Sequence, residues 1–395
     1  MFHKKTIKDV DVAGKRVLVR VDFNVPLDGE SVTDDTRVRA ALPTLRYLID
    51  HGAKVIICSH LGRPKGEPDP QFSLRPVRRT LQRLLGRNVF FAPETVGEET
   101  TESVERLQAG EIIILENLRF NPGEKANDPE FAKQLAALAD IYVNDAFGAA
   151  HRAHASTEGV TAYLPAYAGL LLAREIETLT DMLAEPQRPF VAILGGSKVS
   201  DKFGVIDRLI DCVDVLLIGG GMAFTFLVAK EIGIGKSIVE PDWVEPAKKM
   251  LDKAAEKGCD LVLPTDFVVA DAFAEDAETK IVGREEIPDS MMGLDIGPST
   301  TEVFKHEIAR AKTIFWNGPM GVFEMKPFEN GTKEVAEAVA RNNRAASIIG
   351  GGDSVAALKK FDLEDRVTFV STGGGASMKL LEGAELPGVE ALLDR

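Results

Sequence analysis

Lys54-Val55-Ile56-Ile57-Cys58-Ser59-His60-Leu61-Gly62-Arg63-Pro64 is a short run of Val, Ile and Cys that ends abruptly in polar, glycine-containing sequence. The same plan recurs on both sides of it. Val17-Leu18-Val19-Arg20-Val21 runs into Asp22-Phe23-Asn24, Ile112-Ile113-Ile114-Leu115 into Glu116-Asn117-Leu118-Arg119, and Ile141-Tyr142-Val143 into Asn144-Asp145-Ala146-Phe147. The apolar residues are nearly continuous rather than alternating, which is how strands buried on both faces of a parallel sheet read. Helical periods separate them. Over 36–51, apolar residues recur at Val38, Ala41, Leu42, Leu45, Leu48 and Ile49, and Gly52 stops the pattern. Similar spacing predicts helices over 74–85 and 129–139. Strand alternating with helix predicts an open α/β sheet.

The second half repeats the plan with different endings. Phe190-Val191-Ala192-Ile193-Leu194 leads to Gly195-Gly196-Ser197-Lys198, and Val215-Leu216-Leu217-Ile218 to Gly219-Gly220-Gly221. Ala346-Ser347-Ile348-Ile349 leads to Gly350-Gly351-Gly352-Asp353-Ser354, and Val367-Thr368-Phe369-Val370 to Ser371-Thr372-Gly373-Gly374-Gly375. Further strands are expected over 261–263 and 313–316. The expected fold is α/β, with two doubly wound, Rossmann-like, three-layer αβα domains built on parallel sheets. The first domain is placed at 1–170 and the second at 189–379, joined by a helix and hinge over 171–188. Residues 161–183 read as one helix-rich stretch, stopped by Pro186 and Pro189.

A chain of 395 residues is long enough for two large cores, and 45% hydrophobic with 27% charged residues excludes disorder as its dominant state. Lys and Arg total 47 against 61 Asp and Glu, a net charge of −14. That excludes an overall basic footprint for nucleic acid or an anionic membrane. No apolar run reaches the roughly 18 residues of a membrane span, and the first ten residues lack a secretory signal's apolar core. Cys58, Cys212 and Cys259 are far apart and form no CxxC pair, so they read as small buried hydrophobes in a reducing compartment. A soluble cytoplasmic protein is expected.

Ligands of open α/β sheets bind at the carboxyl ends of the strands. The first half places Asp22, Asn24, His60, Arg63, Arg119, Arg152 and His154 there, with Arg37 at the first turn of the following helix. Single arginines are commonly surface ion pairs. Four on one rim suit a small, multiply charged anion, because the guanidinium fork grips carboxylate and phosphate in pairs of bonds. In the second half, glycine after a buried strand lets backbone N–H groups approach a phosphate at a helix N-terminus. No stretch has P-loop or GxGxxG spacing. Lys198 and Lys202, four apart, are expected on one helical face pointing at a phosphate. Asp353 reads either as a helix N-cap or as a Mg²⁺ ligand. Glu324 could hold a ribose hydroxyl or be simply surface. No nucleophile with an adjacent base is present. An acceptor that is already a carboxylate needs none.

The segments 19–26, 59–66, 116–120, 144–148, 151–154, 195–202, 293–298, 316–324, 350–354 and 371–377 together make the chain resemble the phosphoglycerate kinases, essentially end to end. The resemblance implies reversible Mg²⁺-dependent phosphoryl transfer between ATP and the carboxylate of 3-phosphoglycerate, giving ADP and 1,3-bisphosphoglycerate. It implies that Asp22, Asn24, Arg37, His60, Arg63, Arg119 and Arg152 bind the acid, with Arg37 acting on the transferring group. Lys202 and Lys198 would meet the phosphates, while Gly293, Asn317 and Glu324 line the nucleoside site. Gly351, Gly352, Asp353 and Ser354 would handle phosphates, with Asp353 on Mg²⁺, and Gly373 and Gly374 would donate to the moving phosphoryl group. It also implies a monomer with a hinged cleft between the domains and a segment over 380–395 returning to the first. The remaining alternatives are another small-acid kinase and a non-catalytic two-domain anion sensor.

Overall fold

A computed structural model describes residues 2–395. The chain divides into two compact units, Met1–Leu179 with Ala384–Arg395, and Thr180–Gly383. The division falls inside the helix Leu170–Ala184.

The first unit carries a six-stranded parallel sheet in the order Phe90–Phe91, Ile112–Ile114, Lys54–Cys58, Arg16–Arg20, Ile141–Asn144, Ala166–Ala168. Arg16–Arg20 lies centrally, with Val17, Leu18 and Val19 all fully buried. Val17 and Val19 pack with Val38, Leu45 and Leu48 of the helix Thr36–Asp50, which is why the strand carries no polar face. The end of the chain closes one sheet edge. Leu393 N donates to Ala166 O at 3.0 Å, Lys5 N donates to Leu393 O at 2.7 Å, and Lys4 pairs with Asp394 at 2.8 Å.

The second unit carries a parallel sheet in the order Asp260–Val262, Val215–Ile218, Phe190–Leu194, Thr313–Asn317, Ala346–Gly350, Phe369–Val370. Trp316 sits in a strand paired on both sides and is fully buried.

Four expectations are corrected. Residues 161–183 are not continuously helical: Ala166–Ala168 is a strand paired with Ile141–Asn144, and the helix begins only at Leu170. Pro165 and Gly169 bracket that strand, and proline and glycine are the residues that interrupt a helix. Lys198 and Lys202 share no helical face, because the helix starts at Phe203 with Lys202 as its N-cap residue. The Ser200 hydroxyl and amide are instead held by Glu240 at 2.6 and 3.0 Å, fixing a non-helical turn. Asp353 is not an N-cap; it lies in the first turn of Gly352–Lys360, capped by Gly351. Finally, the second unit holds an antiparallel sheet in the order Thr279–Gly283, Asp266–Ala270, Met292–Ile296, which the reading of buried parallel strands passed over. Its edge strand is largely exposed, so it lacks the apolar run used as the signal.

Candidate active site

In the first unit, short turns tie the strand ends together. Ser59 follows Lys54–Cys58 and its hydroxyl accepts from Phe23 N at 2.9 Å. Asn24 Oδ1 accepts from Gly62 N at 2.8 Å, and Arg37 Nη1 donates to Asn24 O at 2.8 Å. Asp22 accepts from Asn24 N at 3.2 Å and faces Arg37 at 3.4 Å. Arg119 is held by a carboxamide brace. Asn117 Oδ1 accepts from Leu61 N and Arg119 N, while its Nδ2 donates to Leu61 O and Phe72 O. Arg119 Nη1 then donates to Gly62 O at 2.6 Å. Asp22, Asn24, Arg37 and Arg119 thus converge on the loops after the first two central strands.

The rim is short of acid. Arg119 Nε is buried with no partner. Burial first, then Arg20 and Arg152, push the Arg119 guanidinium down to about 10. Burial, then Arg20, Arg119, Arg37 and Arg152, hold the His60 imidazole well below its ordinary value, so it is neutral. Arg152 is therefore electrostatically part of the cluster although its side chain is exposed and its Nε faces His151 Nε2 at 3.0 Å. Arg63 follows Gly62 on the same loop and is exposed. An unpaired nitrogen beside crowded cations is the signature of a site completed by an anion. The sequence reading gave Arg20, Glu124 and Ser156 no role. The available signal was an arginine ending an otherwise apolar central strand.

In the second unit, two cavities meet. A groove of about 350 Å³ is lined by Lys198, Lys202, Asn317, Gly351, Asp353 and Gly374 among others. A slot of about 400 Å³ is lined by Phe224, Phe267, Gly293, Glu324 and Lys236 among others. They share Gly196, Ser197 and Asp353. The groove is polar, lined by Lys198 and Lys202 together with Asp201 and Asp353; the slot has an aromatic wall, with Phe224 and Phe267 rings 4.8 Å apart. A Cβ on Gly293 would fall inside the Phe224 ring, so glycine there lets the strand approach the aromatic wall. Gly220 has φ +67°, and a Cβ there would come within 2.6 Å of the Gly196 backbone, so the glycine turns pack against each other.

Burial pushes the Lys202 ammonium down to about 8, against the opposing pull of Asp353 and Asp201. Asn317 ends its strand, is 2% exposed, and its Nδ2 has no partner. It lines the groove with the lysines, not the slot with Gly293 and Glu324. Ser354 lines the groove too, but its hydroxyl is engaged, accepting from Gly318 N at 2.6 Å. Gly374 and Gly352 line the groove, whereas Gly373 lies behind it, its N–H donated to Ser371 Oγ at 3.2 Å. Asp295 and Lys236 in the slot were missed. Asp295 is a buried carboxyl pushed up to about 8 by burial, bonded to Gly331 N at 2.7 Å.

Among the described residues, no three His, Cys, Asp or Glu side chains gather to hold a metal ion. Asp353 is one exposed carboxylate where groove and slot meet, with no ion pair to another side chain. That donor set fits a hard cation held mainly by a ligand's phosphates. It does not fit a resident metal centre.

Comparison with known proteins agrees over the whole chain. The family model described as phosphoglycerate kinase matches residues 7–384. The chain is 56% identical over 392 residues to the phosphoglycerate kinase of Rubrobacter xylanophilus, covering 99% of each. It is 55% identical over 398 residues to that of Chloroflexus aggregans, covering all of both. Among solved structures it is similar to phosphoglycerate kinase from Coxiella burnetii, with a TM-score of 0.89 at 44% identity and 98% of each chain covered. The corresponding structure from Pyrococcus horikoshii gives 0.85 at 33% identity, again covering 98% of each.

Proposed function

The chain belongs to the phosphoglycerate kinase family, and from that premise we propose how its residues divide the reaction. The enzyme transfers a phosphoryl group reversibly between ATP and the carboxylate of 3-phosphoglycerate, giving ADP and 1,3-bisphosphoglycerate in glycolysis and gluconeogenesis. The observation that carries the assignment of roles is the unpaired Arg119 Nε on a rim of cations. Arg37, Arg63, Arg119 and Arg152 neutralise the acid's phosphate and carboxylate, while Asp22, Asn24 and His60 orient it. The nucleoside enters the slot beside Gly293 and Glu324. Its phosphates lie along the groove, on Lys198, Lys202, Asn317 and the amides at the start of Gly352–Lys360.

A carboxylate oxygen attacks the γ-phosphorus, the bond to the β–γ bridging oxygen breaks, and ADP leaves with the electron pair. The acceptor is already ionised, so the residues supply charge and alignment rather than a base. Arg37 and Lys202 bring positive charge to the transferring group, with Gly374 offering backbone contact. Asp353 would hold Mg²⁺ together with the nucleotide's phosphates, and the ion would neutralise phosphate charge there. A cytoplasmic monomer without nucleic-acid or membrane partners completes the reading. The net charge of −14 argues against nucleic acid and anionic membrane as partners, and no helix among the described residues is long and apolar enough to cross a membrane.

Turnover of Mg-ATP with 3-phosphoglycerate tests this reading. Turnover only with another small acid, or binding of both ligands without turnover, would overturn it. Asp353→Asn is expected to raise the Mg²⁺ concentration for half-maximal rate by about tenfold or more, since one of the ion's few protein carboxylates is lost. The KM for 3-phosphoglycerate should hardly change. An unchanged Mg²⁺ titration removes Asp353 from the metal.

A further inference from the structure

Arg20 ends the central strand of the first unit and is 1% exposed, yet each of its three nitrogens has a partner. Nε donates to Ser156 Oγ at 2.8 Å, Nη1 donates to the Val21 carbonyl, and Nη2 lies 3.0 Å from His60 Nδ1. A guanidinium has donors and no acceptor, so in the last contact Nδ1 is the acceptor and carries no proton. The imidazole is 7% exposed and neutral, so its single proton is on Nε2. Nε2 has no protein partner among the described residues.

The far side of Arg20 is anchored too. Glu124 is fully buried and accepts from Ser156 Oγ at 2.6 Å and Ser156 N at 3.0 Å, and it faces His154 Nδ1 at 3.7 Å. Arg20 therefore shares a buried counter-charge through Ser156. Around the ring, the charged groups that act on it are Arg20, Arg37, Arg119 and Arg152, all cationic.

We propose that Arg20 is a positioning residue for the acid site: it holds His60 as the tautomer protonated on Nε2, so the ring meets substrate only as a hydrogen-bond donor. The proposal rests on the reading of His60 as a ligand of the acid. A ring so held cannot take a proton from the substrate hydroxyl, because Nδ1 is occupied and Nε2 already carries hydrogen. It binds an anionic oxygen and offers nothing to a group that must donate. It also remains a neutral donor in mildly acidic solution, where an ordinary histidine would have charged.

The test is ¹⁵N NMR of the ligand-free full-length protein labelled at histidine, with the His60 signals assigned by their loss in His60→Ala. Six histidines make the spectrum tractable. The expected result is a His60 ring with bare Nδ1 and protonated Nε2 that does not titrate around the ordinary histidine value of about 6.5. A proton on Nδ1, or ordinary titration there, overturns the proposal. The wild-type spectrum decides even where Arg20→Met fails to fold. Arg20→Met is expected to release Nδ1, so that the ring no longer holds a single tautomer, and to raise the KM for 3-phosphoglycerate about tenfold, with kcat changed less. In the His60→Ala background, Arg20→Met should add little further, since it acts through the ring. An equal rise of KM in both backgrounds would mark a merely structural role and overturn the proposal. Failure of the wild-type enzyme to turn over 3-phosphoglycerate would instead sink the functional reading, and it leaves the tautomer result standing.

Discussion

Lys202→Met is expected to lower kcat by about 100-fold or more while the fold is retained. The lysine is the N-cap residue of Phe203–Ile210, makes no side-chain cap bond, and lines the phosphate groove. Its ammonium is thus not committed to capping the helix and is placed in the groove. The methionine keeps the apolar stem and deletes the charge. Burial pushes this ammonium from 10.5 down to about 8. At subsaturating ATP the rate should therefore fall as pH rises through about 8, where the free enzyme loses the charge. Bound phosphates favour the charged form, so saturating ATP should move that fall to higher pH.

The same shift has a stability consequence with a definite sign. The burial penalty on the charged lysine is fully present below about pH 8. Between about 8 and 10.5 the unfolded chain holds a proton that the folded chain has released, so this group makes stability rise with pH. Lys202→Met should accordingly stabilise the ligand-free protein at pH 7, with the gain fading between about 8 and 10.5. Urea unfolding at pH 7 and at high pH, beside steady-state kinetics, checks both halves. Unchanged kcat would remove Lys202 from the mechanism.

Trp316→Ala is expected to destabilise the second unit by about 3–5 kcal/mol. The indole is fully buried in a strand hydrogen-bonded to Phe190–Leu194 on one side and Ala346–Gly350 on the other. Both of those strands lead into glycines that line the groove, so the cavity left would open beneath it. Trp316 Nε1 also donates to Gly318 O at 2.8 Å, fixing the turn whose amide is held by Ser354. Trp316→Phe keeps most of the volume and strands that carbonyl. It is expected to cost about 1–3 kcal/mol and to weaken ATP binding beyond its effect on stability. Urea unfolding gives the first number, and calorimetric titration with ATP the second. A loss for Trp316→Ala below about 1 kcal/mol would contradict the packing described.

Much of this was legible in the chain. Buried parallel strands announce themselves by unbroken Val and Ile, and their polar endings carried Asp22, His60 and Arg119 to the same rim. What escaped did so for physical reasons. Asp266–Ala270 and its partners form a sheet with one exposed edge, so no unbroken apolar run marks it. Arg20 looked like a strand residue because it is one; its role lies in contacts with Ser156 and His60, 136 and 40 positions away. The helix imagined under Lys198 and Lys202 fits the spacing, but Glu240 competes for the Ser200 amide. The placement of Asn317 among the lysines follows from its last position in Thr313–Asn317, and which cavity that end meets is decided by the fold as a whole.

The clasp of Ala384–Arg395 onto Ala166–Ala168 also sets an order of events during synthesis. A ribosome delivers residues in sequence, so the segment that closes this sheet edge emerges only after the whole of the second unit. Until then the Ala166 carbonyl lacks the Leu393 amide, and Asn144 lacks the Gly388 carbonyl that its Nδ2 reaches at 2.8 Å. The nascent first unit carries an open edge throughout translation of the intervening 204 residues, Thr180–Gly383. An open strand edge invites pairing with other chains. Ala384–Arg395 thus acts as a seal applied late, and a chain truncated before Ala384 would never receive it.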